Sequence, residues 1–237
     1  MEAEEYQRMS EVEASMWWYR AAHARLLAAL PDGAGPVLDA GCGTGGFLAY
    51  LRHRRPDLES MGLEWHAEGA RLAAEKSGRP IARGSVNALP FASGCFGTVV
   101  LADVLCHAAV DPAQTLAETG RVLRPGGRVI VNMPAFTALL SAHDVAVHNA
   151  RRQTAAGTRA MLEAAGLRVL STRYWNGLLL PLMILRRKVL PASSERSDVA
   201  AFPPWLDRIF HGVTELERRL PFPLPAGGSV LAIAERT

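Results

Sequence analysis

The sequence predicts a doubly wound α/β fold, in which a parallel sheet carries helices on both of its faces. Short apolar segments alternate with helical segments along much of the chain, and this alternation is typical of a parallel sheet. The first apolar segment, 36–40, leads into a glycine-rich turn and a helix at 46–54. The second, 59–64, ends in an acidic residue. Open α/β sheets form a nucleotide crevice from such a turn and such an acid.

The remaining elements follow from apolar periodicity and turn residues. Pro125-Gly126-Gly127 is expected to end a helix and turn the chain into the next strand. Residues 4–30 are expected to form one or two helices, and residues 176–226 a helical insertion. The other elements are helix 67–76, strand 80–83, strand 97–102, helix 112–123, strand 127–133, helix 155–165, strand 167–173 and a last strand at Ser229–Glu235.

The glycine-rich turn has the spacing Gly41-x-Gly43-x-Gly45. This spacing differs from the G-x-G-x-x-G of dinucleotide binders, and the turn lacks the Lys-Ser/Thr ending of a phosphate-binding loop. The expected ligand is therefore a nucleoside with little or no phosphate. The alternative is a tight strand-to-helix turn that holds no ligand.

Four segments resemble the class I S-adenosylmethionine (SAM) dependent methyltransferases. Val37–Phe47 resembles their first motif, whose glycines pass under the methionine part of SAM. Gly84–Phe91 resembles the loop after their third strand, and Cys95–Leu101 resembles their fourth strand. Glu118–Val131 resembles their Arg-Val-Leu-x-Pro-Gly-Gly signature. The resemblance implies a Rossmann-like seven-stranded sheet, mostly parallel with an antiparallel last strand. It also implies methyltransferase activity, with SAM as cofactor and S-adenosylhomocysteine (SAH) as product.

The pattern of elements, together with the resemblance, predicts a division of the chain. A helical cap (1–30) precedes a SAM-binding Rossmann-like core (31–175), which is followed by a helical insertion or lid (176–226) and a last strand (227–237) that completes the core.

Two acids that are usual in the family are missing, because Ser85 and Gly97 occupy their places. The family's acid at the Ser85 position commonly holds the adenine amino group, and a serine hydroxyl accepts a weaker hydrogen bond. A protein that binds SAM without methylating, as a cyclase, a rearrangement catalyst or a sensor, therefore stays an alternative.

The cofactor-binding candidates combine strand ends with the resemblance. Glu64 is expected to accept both ribose hydroxyls, Trp65 to lie along the adenine or simply to pack, and Arg20 to pair with the cofactor carboxylate. The full set is Asp39, Gly41, Gly43, Gly45, Glu64, Trp65, Ser85, Val86, Ala102 and Arg20.

Histidines supply the catalytic candidates, since a neutral imidazole is suited to remove a proton near pH 7. His143 follows strand five, in a Ser-x-His-Asp pattern that resembles a bacterial small-molecule subgroup of the family. His107 follows strand four, and His148 lies four residues after Asp144. The alternative is that His143 and Asp144 cap a helix or hold the loop. The spacing of His143 and His148 matches no standard metal signature, so no metal is expected.

The substrate-binding candidates are Tyr19, Arg151, Arg152, Tyr174 and Asn176. The two arginines are suited to hold an anionic group, and the alternative is a solvated surface pair. The apolar run at 175–185 is shorter than the roughly 20 residues of a membrane span. It predicts a buried lid helix or dimer face, or else contact with an apolar substrate or a membrane surface.

Composition narrows the function classes. The three cysteines form no C-x-x-C pair, so neither a zinc site nor a disulfide framework is indicated, and a reducing cytoplasm is expected. The net charge is +3, with scattered basic residues, whereas nucleic-acid binders carry denser basic stripes. We therefore expect a monomeric or homodimeric enzyme that methylates oxygen or carbon of a small molecule, with RNA methylation as an alternative.

Overall fold

The computed structural model describes residues 3–141, 144, 148–188 and 202–237, and it describes side chains from residue 6 onward with gaps at 142–143, 145–147 and 186–201. The described residues form one seven-stranded sheet. Its strands are β1 (Val37–Ala40), β2 (Ser60–Glu64), β3 (Ile81–Arg83), β4 (Phe96–Ala102), β5 (Leu123–Pro134), β6 (Leu167–Trp175) and β7 (Ser229–Arg236).

The strand order is β3-β2-β1-β4-β5-β7-β6. Strands β1 to β5 pair in parallel, and β7 inserts antiparallel between β5 and β6. The predicted fold class is therefore confirmed, including the antiparallel last strand. The order reverses between β1 and β4, and a crevice opens beyond the carboxyl ends of strands at such a point.

The helices agree with the sequence-based elements to within a few residues. Residues 4–30 form two helices, and the described part of the insertion is helical in two places. The helices are α1 (Ala3–Val12), α2 (Trp17–Ala29), α3 (Gly46–Arg54), α4 (Ala67–Ser77), α5 (Pro112–Val122), α6 (Ala155–Ala164), α7 (Leu180–Lys188) and α8 (Pro204–Arg218). Among the described residues, none of these helices is both long enough and apolar enough to cross a membrane.

The apolar core lies on both faces of the sheet, as a doubly wound fold requires. Successive strand residues point to opposite faces, so Leu38 and Val99 join one buried cluster. Val37 and Val100 join a second cluster, which includes Leu26 of α2. Burial on both faces explains why β1 and β4 contain almost continuous apolar runs.

Gly97 shows why one of the family's acids is missing. A Cβ atom at this position would lie 2.7 Å from the carbonyl oxygens of Ala34 and Gly35, which is closer than van der Waals contact allows. The Gly97 N–H also donates to the Pro36 carbonyl at 2.9 Å. The close approach of the segment before β1 therefore excludes an aspartate at this position.

Helices α2 and α8 are tied together by buried and half-buried ionic groups. Asp207 accepts from the Trp17 N–H at 2.6 Å and from Arg20 Nη2 at 2.5 Å. Arg25 donates to the Thr214 carbonyl at 2.7 Å and lies 3.6 Å from the Glu217 carboxylate. These contacts fix one helix of the insertion against the N-terminal cap, above the crevice.

Candidate active site

A cavity of about 1330 Å³ occupies the crevice at the carboxyl ends of β1 and β4. Pockets for one small molecule usually have roughly 300–1,000 Å³, so this cavity has room for a cofactor and an acceptor together. Residues of α1, α2, α7 and α8 line it as well as the sheet.

The glycine-rich turn forms one wall of the cavity. Gly41, Gly43 and Gly45 have φ values of +83°, +55° and +81°, in the left-handed region that favours glycine. A Cβ at Gly41 would lie 2.7 Å from Val104 Cγ2, and one at Gly45 would lie 2.7 Å from Ala73 Cα. The turn thus packs against both flanking loops, and Gly41 and Gly43 line the cavity.

Glu64 lies directly beside this turn, as the sequence predicts. Its carboxylate accepts from the Gly43 N–H at 2.9 Å, the His66 N–H at 2.9 Å and the Tyr6 hydroxyl at 2.9 Å. The two backbone hydrogen bonds hold Glu64 at the cavity wall, and the Tyr6 hydroxyl, from α1, takes one of the remaining acceptor sites of the carboxylate.

Asp39 and Glu13 add negative charge to the same wall. Asp39 is buried, and its Oδ1 atom finds no hydrogen-bond partner among the described residues. Burial, together with Glu13 and Glu64, raises the pKa of Asp39 to about 8. Glu13 accepts from the Gly46 N–H at 2.9 Å and pairs with Lys76.

These features fit SAM, which carries a sulfonium and an ammonium group. Three carboxylates line the wall and favour a cation, and the Asp39 Oδ1 atom lacks a donor. Trp65 lines the cavity with 71% of its surface exposed, which leaves a ring face free for stacking. Ser85, Val86 and Ala102 also line the cavity.

Arg20 and Gly45 differ from the other cofactor-binding candidates. Neither belongs to the cavity lining. The Arg20 guanidinium pairs with Asp207 of α8, and Gly45 supports the turn from behind, against Ala73.

The structure places two of the three candidate histidines in the cavity wall. His107 lies in the loop after β4, and His148 has φ +58° in the segment that follows β5. His143 lies outside the described residues. Within the described part of the chain, no group of three His, Cys, Asp or Glu side chains is arranged to hold a metal ion.

Asp144 and Arg152 form a buried bidentate ion pair. Arg152 Nε and Nη2 lie 3.0 Å from Asp144 Oδ1 and Oδ2, and Arg152 Nη1 donates to the Ala135 carbonyl at 3.0 Å. Burial alone would raise the pKa of Asp144, but Arg152 and the two bonds from Ser141 outweigh it and hold that pKa below its usual range. Most of the guanidinium's hydrogen-bonding capacity is therefore used within the protein.

The other substrate-binding candidates occupy different environments. Arg151 Nη1 donates to the carbonyls of His107 and Val110 at 2.6 and 3.0 Å, so it holds the loop after β4. Tyr174 lies outside the cavity lining, where its hydroxyl accepts from the Ala155 N–H at 3.0 Å. Tyr19 and Asn176 line the cavity.

Asn176 has unused hydrogen-bonding capacity. It is fully buried at φ +59°, and neither Nδ2 nor Oδ1 finds a partner among the described residues. Its backbone N–H is bound by Glu217 of α8 at 2.6 Å. An unpaired buried amide in a cavity wall is costly, and a polar group on a ligand would relieve that cost.

Sequence reasoning missed several residues of the site. Tyr6 and Glu13 reach the crevice from the N-terminal cap, and Asn132 and Trp175 form a hydrogen-bonded chain behind Asp103. None of these residues belongs to a motif near the glycine-rich turn, so only the assembled fold brings them together.

The comparisons with known proteins agree with this geometry. Residues 38–131 match the family model of the methyltransferase domain. This part of the chain is therefore similar to methyltransferase domains. The matched region contains the cavity-lining residues from Asp39 to Ala102 and excludes all four helices that cover the cavity.

Relatives that carry a methyltransferase name each match part of the chain. A demethylmenaquinone methyltransferase of Deinococcus radiodurans is 36% identical over 119 residues, which cover 48% of each chain. A ubiquinone/menaquinone biosynthesis C-methyltransferase of Geotalea daltonii is 31% identical over 41% of this chain and 44% of its own. The chain thus spans about half the length of the relatives it matches.

Solved structures extend the likeness of fold to nearly the whole chain. A geranyl diphosphate C-methyltransferase from Streptomyces coelicolor has a TM-score of 0.64 at 18% identity, covering 92% of this chain and 79% of its own. A SAM-dependent methyltransferase from Archaeoglobus fulgidus has a TM-score of 0.57 at 17% identity, covering 91% and 93%. At these identities the likeness shows the fold alone.

Proposed function

We propose that this chain is a SAM-dependent methyltransferase that transfers a methyl group to oxygen or carbon of an apolar small molecule. This proposal rests on the residues that line the large cavity in the described part of the chain. The cavity is lined by a glycine-rich turn and three carboxylates and also by apolar side chains of the insertion.

The residues of this chain divide the work of holding the cofactor. The glycine-rich turn lies under the methionine part, and Glu64 accepts the ribose hydroxyls. For this, one Glu64 carboxylate oxygen must lose or share the hydrogen bond that it accepts from the Tyr6 hydroxyl. Trp65 stacks along the adenine, with Ser85 and Val86 at its edge. When bound, the cofactor supplies an activated methyl group on a sulfonium, and the protein contributes mainly alignment and exclusion of water.

The apolar side of the cavity favours an uncharged acceptor. Leu179, Leu182 and Met183 line it from the start of the insertion and α7, and Leu206 and Phe210 line it from α8. The arginines expected to hold an anion are engaged elsewhere, since Arg151 binds backbone carbonyls and Arg152 binds Asp144. The unpaired amide of Asn176 offers both a donor and an acceptor to a hydroxyl or carbonyl group.

A radiolabel screen tests this function. The purified protein is incubated with [methyl-³H]SAM and with 1,4-naphthoquinol, 2-naphthol or decanoic acid. The naphthols represent apolar hydroxyl acceptors, and decanoic acid represents an anionic one. We expect label in the organic extract with a naphthol and none above background with the acid. Cofactor binding without transfer to any acceptor would favour the non-methylating alternative.

A pair of variants on α8 tests where the acceptor binds. Leu206→Glu places a charge in the apolar side of the cavity, and we expect transfer to the naphthol acceptor to fall at least tenfold while the Kd for SAM stays within about twofold, because burying an unpaired charge is costly. Leu216→Glu is the matched control, since Leu216 lies on the same helix with 60% of its surface exposed. An equal loss of methyl transfer in both variants would contradict the assignment of the acceptor to this part of the cavity.

A further inference from the structure

Asp103 lines the cavity at the carboxyl end of β4. It directly follows that strand, at the point where the strand order reverses. The next residue, Val104, packs against Gly41 of the glycine-rich turn. The Asp103 backbone has φ +54°, in a region that aspartate tolerates better than most residues.

A chain of hydrogen bonds holds the Asp103 carboxylate in one orientation. Asn132 Nδ2 lies 3.1 Å from both carboxylate oxygens, and Asn132 Oδ1 accepts from Trp175 Nε1 at 2.8 Å. Because the indole can only donate, it fixes which end of the amide faces Asp103. A carboxylate has about four acceptor sites, and the Asn132 amide uses two of them. The Asp103 carboxylate, which lines the cavity, can therefore accept further hydrogen bonds.

The charges around Asp103 suit a group that exchanges protons. Burial raises its pKa to about 7, while the bond from Asn132 and the charge of Arg152 lower it and the charge of Asp144 raises it. Cys106 Sγ donates to the Asp103 carbonyl at 3.0 Å. His107 and His148 line the same cavity. A proton-accepting group near the operating pH is what general base catalysis requires.

The buried acids Asp39 and Asp144 are less suited to meet an acceptor. Asp39 lies within β1, before the glycine-rich turn, where the charges of Glu13 and Glu64 act on it. Asp144 is neutralised by Arg152. Asp103 is the cavity-lining acid that follows β4, next to the residue that packs against Gly41.

We propose that Asp103 is the general base of the methyl transfer and that Asn132 and Trp175 are its positioning residues. This inference rests on the proposed function, and it narrows the acceptor to a phenol, an enol or a similarly acidic carbon. The proton of the acceptor moves to the Asp103 carboxylate as the acceptor's oxygen or carbon forms its bond to the methyl group. The bond between methyl and sulfur breaks, its electron pair stays on the sulfur of SAH, and the carboxylic acid later releases its proton to water.

Proton release on cofactor binding tests this inference without any acceptor. SAM and SAH differ only by the methyl group and the positive charge on sulfur, and a cation close to a carboxyl group lowers its pKa. Titration calorimetry at pH 7 in two buffers, phosphate and Tris, gives the number of protons that the protein releases when each ligand binds. We expect binding of SAM to release on the order of half a proton more than binding of SAH. We expect Asp103→Asn to bind both ligands without this difference.

A matched variant assigns the proton to its group. Asp57→Asn removes the same charge from an exposed surface pair with Arg55 and should keep the difference. Equal release by SAM and SAH in the unaltered protein, retention of the difference in Asp103→Asn, or its loss in Asp57→Asn would each overturn the proposal. Failure of both ligands to bind would instead contradict the proposed function.

Two further measurements cover the folding and the catalytic role of Asp103. If Asp103→Asn fails to fold, Asp103→Ser takes its place and should likewise lose the difference, which in the unaltered protein should be largest between about pH 5 and 7. With 1,4-naphthoquinol as the acceptor probe, Asp103→Asn should lower kcat by roughly 10²–10⁴-fold and remove the rise of kcat through pH 7. An unchanged kcat would show that Asp103 is only a counter-ion.

Discussion

Replacing Arg152 by methionine should lower the free energy of unfolding by about 3–5 kcal/mol. The substitution keeps much of the side chain's volume but leaves Asp144 buried without its counter-ion, and Asp144 has no exposed surface. Denaturant unfolding monitored by circular dichroism measures the change. The matched control is Arg159→Met, which breaks the exposed Arg159–Glu163 pair on α6 and should cost less than about 1 kcal/mol.

The loss of unfolding free energy caused by Arg152→Met should depend on pH, with a definite sign. In the unaltered protein the pKa of Asp144 is depressed, so its pairing stabilises the fold above the carboxyl's unfolded pKa, and this contribution is lost as the pH falls through the folded pKa. In Arg152→Met the lone buried carboxylate destabilises the fold only while it is ionised. The gap between the two proteins should therefore narrow as the pH falls from 7 towards 4.

A second substitution separates the lost pair from a general packing defect. Asp144→Asn added to Arg152→Met removes the uncompensated charge and should restore part of the lost stability. If the double variant is no more stable than Arg152→Met, or if Arg159→Met is equally damaging, the buried ion pair is not the cause.

Gly41→Ala should both destabilise the protein and abolish measurable SAM binding. The new Cβ would lie 2.7 Å from Val104 Cγ2, and the backbone would keep φ +83°. The left-handed conformation costs roughly 1–2 kcal/mol for a non-glycine residue, and overpacking adds about 1–3 kcal/mol. Thermal unfolding and calorimetric titration with SAM measure the two effects.

Gly94→Ala is the matched control for the backbone part of this effect. Gly94 has φ +71°, and no atom lies within 4 Å of a Cβ built there, so this variant carries the conformational cost without the collision. The double variant Gly41→Ala/Val104→Ala removes the collision and keeps the conformational cost. Gly94→Ala should bind SAM normally, and the double variant should regain stability relative to Gly41→Ala. Equal behaviour of Gly41→Ala and Gly94→Ala would mean that the turn does not depend on close packing.

The strands and helices were predictable because their sequence signals are local. Strand β1 is buried throughout and is followed at once by the glycine-rich turn, so its apolar run and its end are both visible in the sequence. The carboxyl ends of parallel strands meet at one edge of the sheet, and therefore Asp39, the turn and Glu64 could be placed together before the structure was known.

The partners of long polar side chains were not predictable in the same way. Arg20 resembles a cofactor-binding arginine, yet its partner Asp207 is 187 residues away in the insertion. Glu64 shares its carboxylate with Tyr6, 58 residues earlier. The pattern shows that a charge is present, but only tertiary packing decides which neighbour satisfies it.

The acceptor side of the cavity depends most on the assembled fold. The apolar run at 175–185 predicted a lid, a dimer face or an apolar contact, and the structure turns part of it towards the cavity beside α8. The network of Asp103, Asn132 and Trp175 joins three separate segments of the chain, and no spacing in the sequence marks it.

Calorimetric titration with SAM and with SAH, on the unaltered protein and on Glu64→Ala, tests the central claim most directly. The account predicts saturable binding of both ligands, weakened at least tenfold in the variant because Glu64 is the acid beside the glycine-rich turn. A folded protein that binds neither ligand up to millimolar concentration, or a Glu64→Ala variant that binds them as tightly as the unaltered protein, would contradict the assignment of this crevice to the cofactor.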